Sequence, residues 1–139
     1  IRTSWVIGDG KNFVRTMASL AQRGINPTVV SDQTGRLTFT TDIAAGIQHL
    51  LHTGVAYGTY NLTGSGEPAS WADIARTVYG LTGHDPSRIM DVTTAEYFAN
   101  ATSPVAPRPA NSTLDLTKIE GTGVAPQDWR LTLEKYLSS

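Results

Sequence analysis

With 139 residues, the chain has room for one hydrophobic core and too few residues for two domains of ordinary size. Lys and Arg total 11 against 12 Asp and Glu, a formal net charge of -1, so no global positive field exists to hold a polyanion, and a nucleic-acid partner is excluded. The absence of cysteine rules out disulfides, thiolate metal sites and thiol nucleophiles, and no apolar run reaches the ~18 residues of a membrane span, so a soluble cytoplasmic protein is expected.

Ile1-Arg2-Thr3-Ser4-Trp5-Val6-Ile7 reads as a buried strand and lacks the basic, apolar, small-residue plan of a signal peptide. A chain that opens inside a core strand is expected to be a fragment of something longer. Gly8-Asp9-Gly10 is a turn. Phe13, Val14, Met17, Leu20 and Ala21 then recur at helical spacing, with Gly24 placed to end the helix. Pro27 to Ser31 reads as a β-branched strand and Leu37-Thr38-Phe39 as a second extended piece. Thr41 is expected to cap the next helix, whose stripe is Ile43, Ile47, Leu50 and Leu51 and whose end is Gly54.

Tyr57 to Leu62 reads as another strand. A glycine-rich turn follows, and Ser70 is expected to cap a helix carrying Trp71, Ile74, Ala75 and Val78, with Asp73 completing a capping box. Ile89 to Val92 is expected to be extended, and Ala99 to Pro109, with three prolines, to be a surface loop. A last helix is predicted from Pro126, with Trp129, Leu133, Tyr136 and Leu137 inward. Strands alternating with helices predict an α/β fold with a mostly parallel sheet that includes the strands near Ile1 and Tyr60.

Few residues point to chemistry on their own. The sequons at Asn61, Asn100 and Asn111 follow from abundant Thr and Ser. His49 and His52 lie one helical turn apart without a third ligand, and His84 has no visible partner. Gly64-Ser65-Gly66-Glu67-Pro68-Ala69 matches G-x-G-x-x-G/A between a strand and a helix. Pro68 removes an N–H where a pyrophosphate needs donors, so a turn feeding a capped helix is expected there.

Five strings fall in one order: Arg2-Thr3-Ser4-Trp5-Val6, Asn12-Phe13-Val14-Arg15-Thr16-Met17, Asp32-Gln33-Thr34-Gly35, Gly64-Ser65-Gly66 before Ser70-Trp71, and Arg108-Pro109-Ala110-Asn111-Ser112-Thr113-Leu114-Asp115. Together they resemble the dTDP-4-dehydrorhamnose reductase family of extended short-chain dehydrogenases over almost the whole chain. The resemblance implies the C-terminal portion of such an enzyme: one substrate-binding domain over residues 1–139, with strands and helices that complete a Rossmann-like parallel sheet. The family's Tyr-x-x-x-Lys pair is absent, because the residues four after Tyr57, Tyr60, Tyr79 and Tyr97 are Asn61, Gly64, Gly83 and Ala101. The N-terminal glycine-rich cofactor loop is absent too, so the chain alone is expected to be inactive. No residue of the chain is expected to be catalytic.

By the same resemblance, Trp5 lies against the deoxysugar, where an indole face suits the C–H patches of a hexose; a core Trp at a strand end is the alternative. Asn12 at a helix head is a candidate for the diphosphate or a plain N-cap. Arg108 either meets the ligand's charge or satisfies carbonyls of its own loop. Gln33 either touches ligand or holds its loop in place. The implied cofactor is NADPH, bound by the N-terminal part, with Mg2+ as an option. The implied partners are a dTDP-sugar, that cofactor domain, a fused 3,5-epimerase domain in some subfamilies, and a second copy of the chain. A noncatalytic regulatory or binding subunit related to the family is the alternative function. Leu37-Thr38 departs from the family's usual Pro-Thr two residues after Gly35.

Overall fold

The segment read as one opening strand is interrupted at its centre. Arg2 forms a parallel bridge with Asn61, donating its N–H to the Tyr60 carbonyl (2.8 Å) and accepting from the Leu62 N–H (2.9 Å). Regular pairing resumes only at Val6–Ile7. Between them Trp5 stands at φ +49°, the one non-glycine residue in the left-handed region among the described residues, 1–138, of this computed structural model. A residue turned through that region ends the alternation that keeps one strand face inward. Ile1 and Val6, expected in the core, are therefore 47% and 46% exposed, while Ile7 is buried.

In chain order the elements are β1 (Val6–Ile7), α1 (Phe13–Gln22), β2 (Thr28–Val30), β3 (Thr34–Gly35), β4 (Thr38–Phe39), α2 (Thr40–Thr53), β5 (Ala69–Ser70), α3 (Trp71–Leu81), a 3-10 turn (Pro86–Arg88), β6 (Met90–Val92), α4 (Thr94–Tyr97), α5 (Thr117–Glu120) and α6 (Trp129–Ser138). They fall into two units. The first comprises Ile1–Gly10, Gly35–Pro68 and the chain from Thr113 onward; the second comprises Lys11–Thr34 and Ala69–Ser112.

In the first unit β1 and β4 pair in parallel, Val6 opposite Thr38 and Ile7 opposite Phe39. Helix α2 follows β4 without a turn. Its N-cap is Phe39, which makes no side-chain cap bond, and not Thr41, because the buried phenyl ring keeps Phe39 in the strand and Thr41 falls inside the first turn. Gly54 ends α2 in the left-handed conformation as expected. The predicted stripe packs inward only in part: Ile43 and Leu50 are half-buried and Gly46 is buried against Leu62, while Ile47 and Leu51 are 41% and 78% exposed. The core beside α2 is Tyr60, Leu62, Leu116 and Ile119, with Leu50, Val55 and Val124 packed on it. Tyr57, expected in a strand, is fully exposed, and only the Asn61 bridge survives of that prediction.

Helix α5 is a turn that periodicity missed. Asp115 nucleates it by accepting from the Thr117 N–H (2.9 Å) and hydroxyl (2.6 Å), which holds its carboxyl below the usual range. Helix α6 starts at Trp129, three residues later than the Pro126 reading, because Asp128 accepts from the Arg130 N–H (2.8 Å). Trp129 and Leu133 are buried, and the Tyr136 hydroxyl donates to the Gly8 carbonyl (2.7 Å).

The second unit is built on α1 and α3, which meet where Phe13 lies 4.6 Å from Trp71, ring centre to ring centre. Strands β2 and β6 pair in parallel, Val29 opposite Asp91. Ser70 and Asp73 form the predicted capping box at the head of α3. Thr93 and Glu96 form a second, unpredicted one at α4, on a T-x-x-E signature. The Tyr79 hydroxyl donates to the Ile25 carbonyl (2.9 Å), and the His84 ring, without a visible partner in sequence, meets Tyr79 edge-on.

Candidate functional site

Trp5 is half-buried, and Gly35 lies flat beneath its indole. A Cβ at Gly35 would stand 2.9 Å from Cε2, 3.0 Å from Cζ2 and 3.1 Å from Cδ2 of the ring. Carbon atoms make ordinary contact at ~3.5–4.0 Å, so a side chain there would lift the ring. That close approach gives the glycine of Asp32-Gln33-Thr34-Gly35 its physical reason. Holding a non-glycine residue in the left-handed region costs about 1–2 kcal/mol. Backbone strain of this kind persists only where its surroundings over-determine it, and it concentrates at functional sites.

The neighbouring Arg36 is used inside its own unit, its Nε donating to the Gly66 carbonyl at 2.7 Å and its Nη1 reaching the Leu114 carbonyl at 3.5 Å. The other strings resolve into local structure. Asp32 accepts from the Thr94 N–H (2.9 and 3.0 Å) and hydroxyl (2.6 Å), and these bonds hold its carboxyl below the usual range. Gln33 donates from Nε2 to the Thr94 hydroxyl at 2.9 Å. Thr34 donates to the Ala110 carbonyl and accepts from the Ser112 N–H, both at 2.8 Å. The D-Q-x-G and R-P-x-N-S strings are thus held together by backbone pairing.

Trp5 belongs to the first unit, whereas Asn12, Gln33 and Arg108 belong to the second. Asn12 is the N-cap of α1, its Oδ1 accepting from the Arg15 N–H at 3.0 Å, so the capping alternative is realised. Gln33 is realised as a loop anchor. Arg108 lies in the exposed stretch 99–110.

The dinucleotide-like stretch is filled by the chain itself. Ser65 pairs with Asp128, donating its N–H to the Gln127 carbonyl (2.8 Å) and accepting from the Trp129 N–H (3.1 Å). Trp129 donates from its indole N–H to the Glu67 carbonyl (2.9 Å). A Cβ at Gly64 would stand 2.5 Å from the Leu37 carbonyl oxygen, and one at Gly66, at φ +90°, would collide with the Asp128 carboxylate. The glycines serve close packing of the turn on the start of α6, and these residues do not fit a dinucleotide. Among the described residues no group of three or more carboxylates or histidines is arranged to hold a metal ion. His49 bonds the Thr122 carbonyl and His52 the Gln48 carbonyl, both at 2.8 Å. No helix of the described residues is long and apolar enough to cross a membrane.

The fold is shared with extended short-chain dehydrogenases that act on nucleotide sugars. The model of the RmlD substrate binding domain matches residues 1–139. The chain is 41% identical over 138 residues to the spore coat polysaccharide biosynthesis protein SpsK of Bacillus subtilis, covering 99% of this chain and 46% of that protein. It is 37% identical to a dTDP-4-dehydrorhamnose reductase of Aggregatibacter actinomycetemcomitans, covering 96% of this chain and 48% of the relative. Among solved structures it superposes on the dTDP-4-dehydrorhamnose reductase of Bacillus anthracis in complex with NADP, with a TM-score of 0.85, 30% identity, and 99% of this chain against 47% of that one. The chain belongs to the RmlD substrate-binding domain family, and it spans about half the length of the curated relatives it matches.

Proposed function

We propose that this chain is the nucleotide-sugar-binding portion of a dTDP-4-dehydrorhamnose reductase, the enzyme that reduces dTDP-4-dehydro-L-rhamnose to dTDP-L-rhamnose with NADPH. The observation that carries this reading is Trp5, an aromatic ring held in a strained backbone conformation on a glycine bed. Trp5 is the sugar platform: an indole face covers the C–H patches of a hexose and keeps water from them. Arg108, exposed and always charged, is the cation for the diphosphate. Asn12 and Gln33 contribute through the helix head and the loop that they hold in shape.

NADPH belongs to a cofactor-binding half outside these residues, since the one stretch here that matches a dinucleotide fingerprint is packed against α6. The relatives carry roughly as much additional chain as this one contains. The exposed side of α2, with Ile47 and Leu51, is the surface assigned to that half. Such biosynthetic chemistry supplies activated sugar for surface polysaccharide, and the cytoplasm is its expected compartment.

Saturation-transfer NMR on the chain with dTDP-L-rhamnose tests this reading. Strong transfer to the rhamnose ring hydrogens, lost in Trp5→Ala, is expected. Transfer confined to the thymine, or unchanged by the substitution, would overturn the platform assignment.

A further inference from the structure

The strained pose of Trp5 has an identifiable holder. Thr38 is fully buried, and both of its hydrogen-bond donors reach back to the opening segment. Its hydroxyl donates to the Ser4 carbonyl at 2.6 Å, and its backbone N–H donates to the Trp5 carbonyl at 3.1 Å. The Ser4 carbonyl lies in the peptide plane that enters the Trp5 Cα, and the Trp5 carbonyl lies in the plane that leaves it. The relative orientation of those two planes is the φ/ψ pair of Trp5. One residue thus bonds both peptide planes that define the dihedrals of the only non-glycine residue with positive φ among the described residues.

The backbone bond would exist for any residue at this register except proline, since it belongs to the parallel pairing of Val6 with Thr38. The hydroxyl bond is particular to Thr or Ser. Removing the hydroxyl takes away one of the two Thr38 bonds that flank the Trp5 Cα, which loosens the Ser4 plane and lets Trp5 shift toward the common backbone regions. The indole then leaves Gly35.

We propose that Thr38 is a positioning residue that locks the Trp5 indole onto Gly35 by clamping the two peptide planes on either side of the Trp5 Cα. Its consequence for ligand rests on the sugar-platform reading of Trp5, but the clamp itself does not. Leu37, the departure from the family's Pro-Thr, does not loosen it: Leu37 is fully buried, and its carbonyl accepts from the Gly64 N–H at 3.1 Å.

The test uses the chain labelled with 5-fluorotryptophan. It gives three fluorine lines for Trp5, Trp71 and Trp129, and Trp5→Phe assigns the first. Thr38→Val, close in shape without the hydroxyl, is expected to shift or split the Trp5 line and leave the Trp129 line, from the buried core of the same unit, in place. Thr38→Ser is expected to restore the Trp5 line. The affinity for dTDP-L-rhamnose is expected to fall about tenfold in Thr38→Val, the scale of one hydrogen bond, and to return in Thr38→Ser.

An unmoved Trp5 line in folded Thr38→Val would overturn the clamp. A moved line with unchanged affinity supports the clamp and refutes the sugar platform instead. Where Thr38→Val does not fold, Thr38→Ser decides: a Trp5 line at its wild-type position supports the clamp, and a displaced line overturns it.

Discussion

Replacing Gly35 by Ala puts the smallest side chain into the closest contact of the candidate site. Gly35 does not lie at positive φ, so Ala adopts its backbone freely, and the substitution acts only through the added Cβ. That atom would stand 2.9 to 3.1 Å from three ring atoms of Trp5, so the indole must rise by roughly 0.5–1 Å to regain ordinary contact. Overpacking typically costs about 1–3 kcal/mol where a core cannot yield, and a Gly→Ala change returns about 0.4–1 kcal/mol through the unfolded state. Trp5 is half-buried and not enclosed in the core, so the expected net change in stability is about 1 kcal/mol or less. On the sugar-platform reading ligand is affected more strongly, because an indole displaced by that distance leaves its wild-type contact with the sugar. Calorimetry should show the affinity for dTDP-L-rhamnose reduced about tenfold or more, ~1.4 kcal/mol, with dTDP affinity unchanged. Wild-type affinity for dTDP-L-rhamnose in a folded Gly35→Ala variant would show that the ring's seat on Gly35 does not matter to the sugar.

Three further outcomes are expected. The chain should oxidise no NADPH in the presence of dTDP-4-dehydro-L-rhamnose, since it has no Tyr-x-x-x-Lys pair and its one dinucleotide-like stretch is packed against Asp128 and Trp129; sustained turnover by pure chain would contradict this. The Ser70 hydroxyl holds the Asp73 carboxyl below its usual value, helped by the Ser70 N–H and Arg76. A depressed folded pKa means stability that is present above the unfolded value and lost as pH falls through the folded one. Melting temperature should therefore drop below about pH 4, and Asp73→Asn should flatten that acid limb; identical limbs would exclude the capping box as its source. Finally, Ile47 and Leu51 on α2 should drive self-association of the chain, and Leu51→Lys should shift sedimentation toward monomer, whereas a strictly monomeric wild type would count against an uncovered docking face.

Helices were legible where apolar spacing and caps agreed. Val14, Met17 and Ala21 face inward on α1, and Ser70 with Asp73 caps α3 as read. The stripe on α2 was legible only in part, because spacing records that a face is apolar and not what covers it: Leu50 packs on the core while Ile47 and Leu51 stay exposed. The opening strand was overread because its β-branched residues carry no sign of the turn at Trp5, a feature imposed by the Thr38 contacts and not by local propensity. As a candidate site residue, Trp5 was legible only through the string around it. Gly35 and Thr38 were not, because one acts by lacking a Cβ and the other by two bonds to residues more than thirty positions away, neither of which leaves a periodic trace. The glycines at 64 and 66 imitate a cofactor fingerprint because close backbone approach needs glycine whether the neighbour is a phosphate or, as here, Asp128 and Trp129.

Whether Trp5 reads the sugar is decided by a four-part calorimetric comparison: dTDP-L-rhamnose and dTDP, each against the chain and its Trp5→Ala variant. Wild type is expected to prefer dTDP-L-rhamnose over dTDP, and the preference is expected to collapse in Trp5→Ala while dTDP binding persists, a coupling of about 1–2 kcal/mol. An equal preference for the sugar nucleotide in both proteins would contradict it.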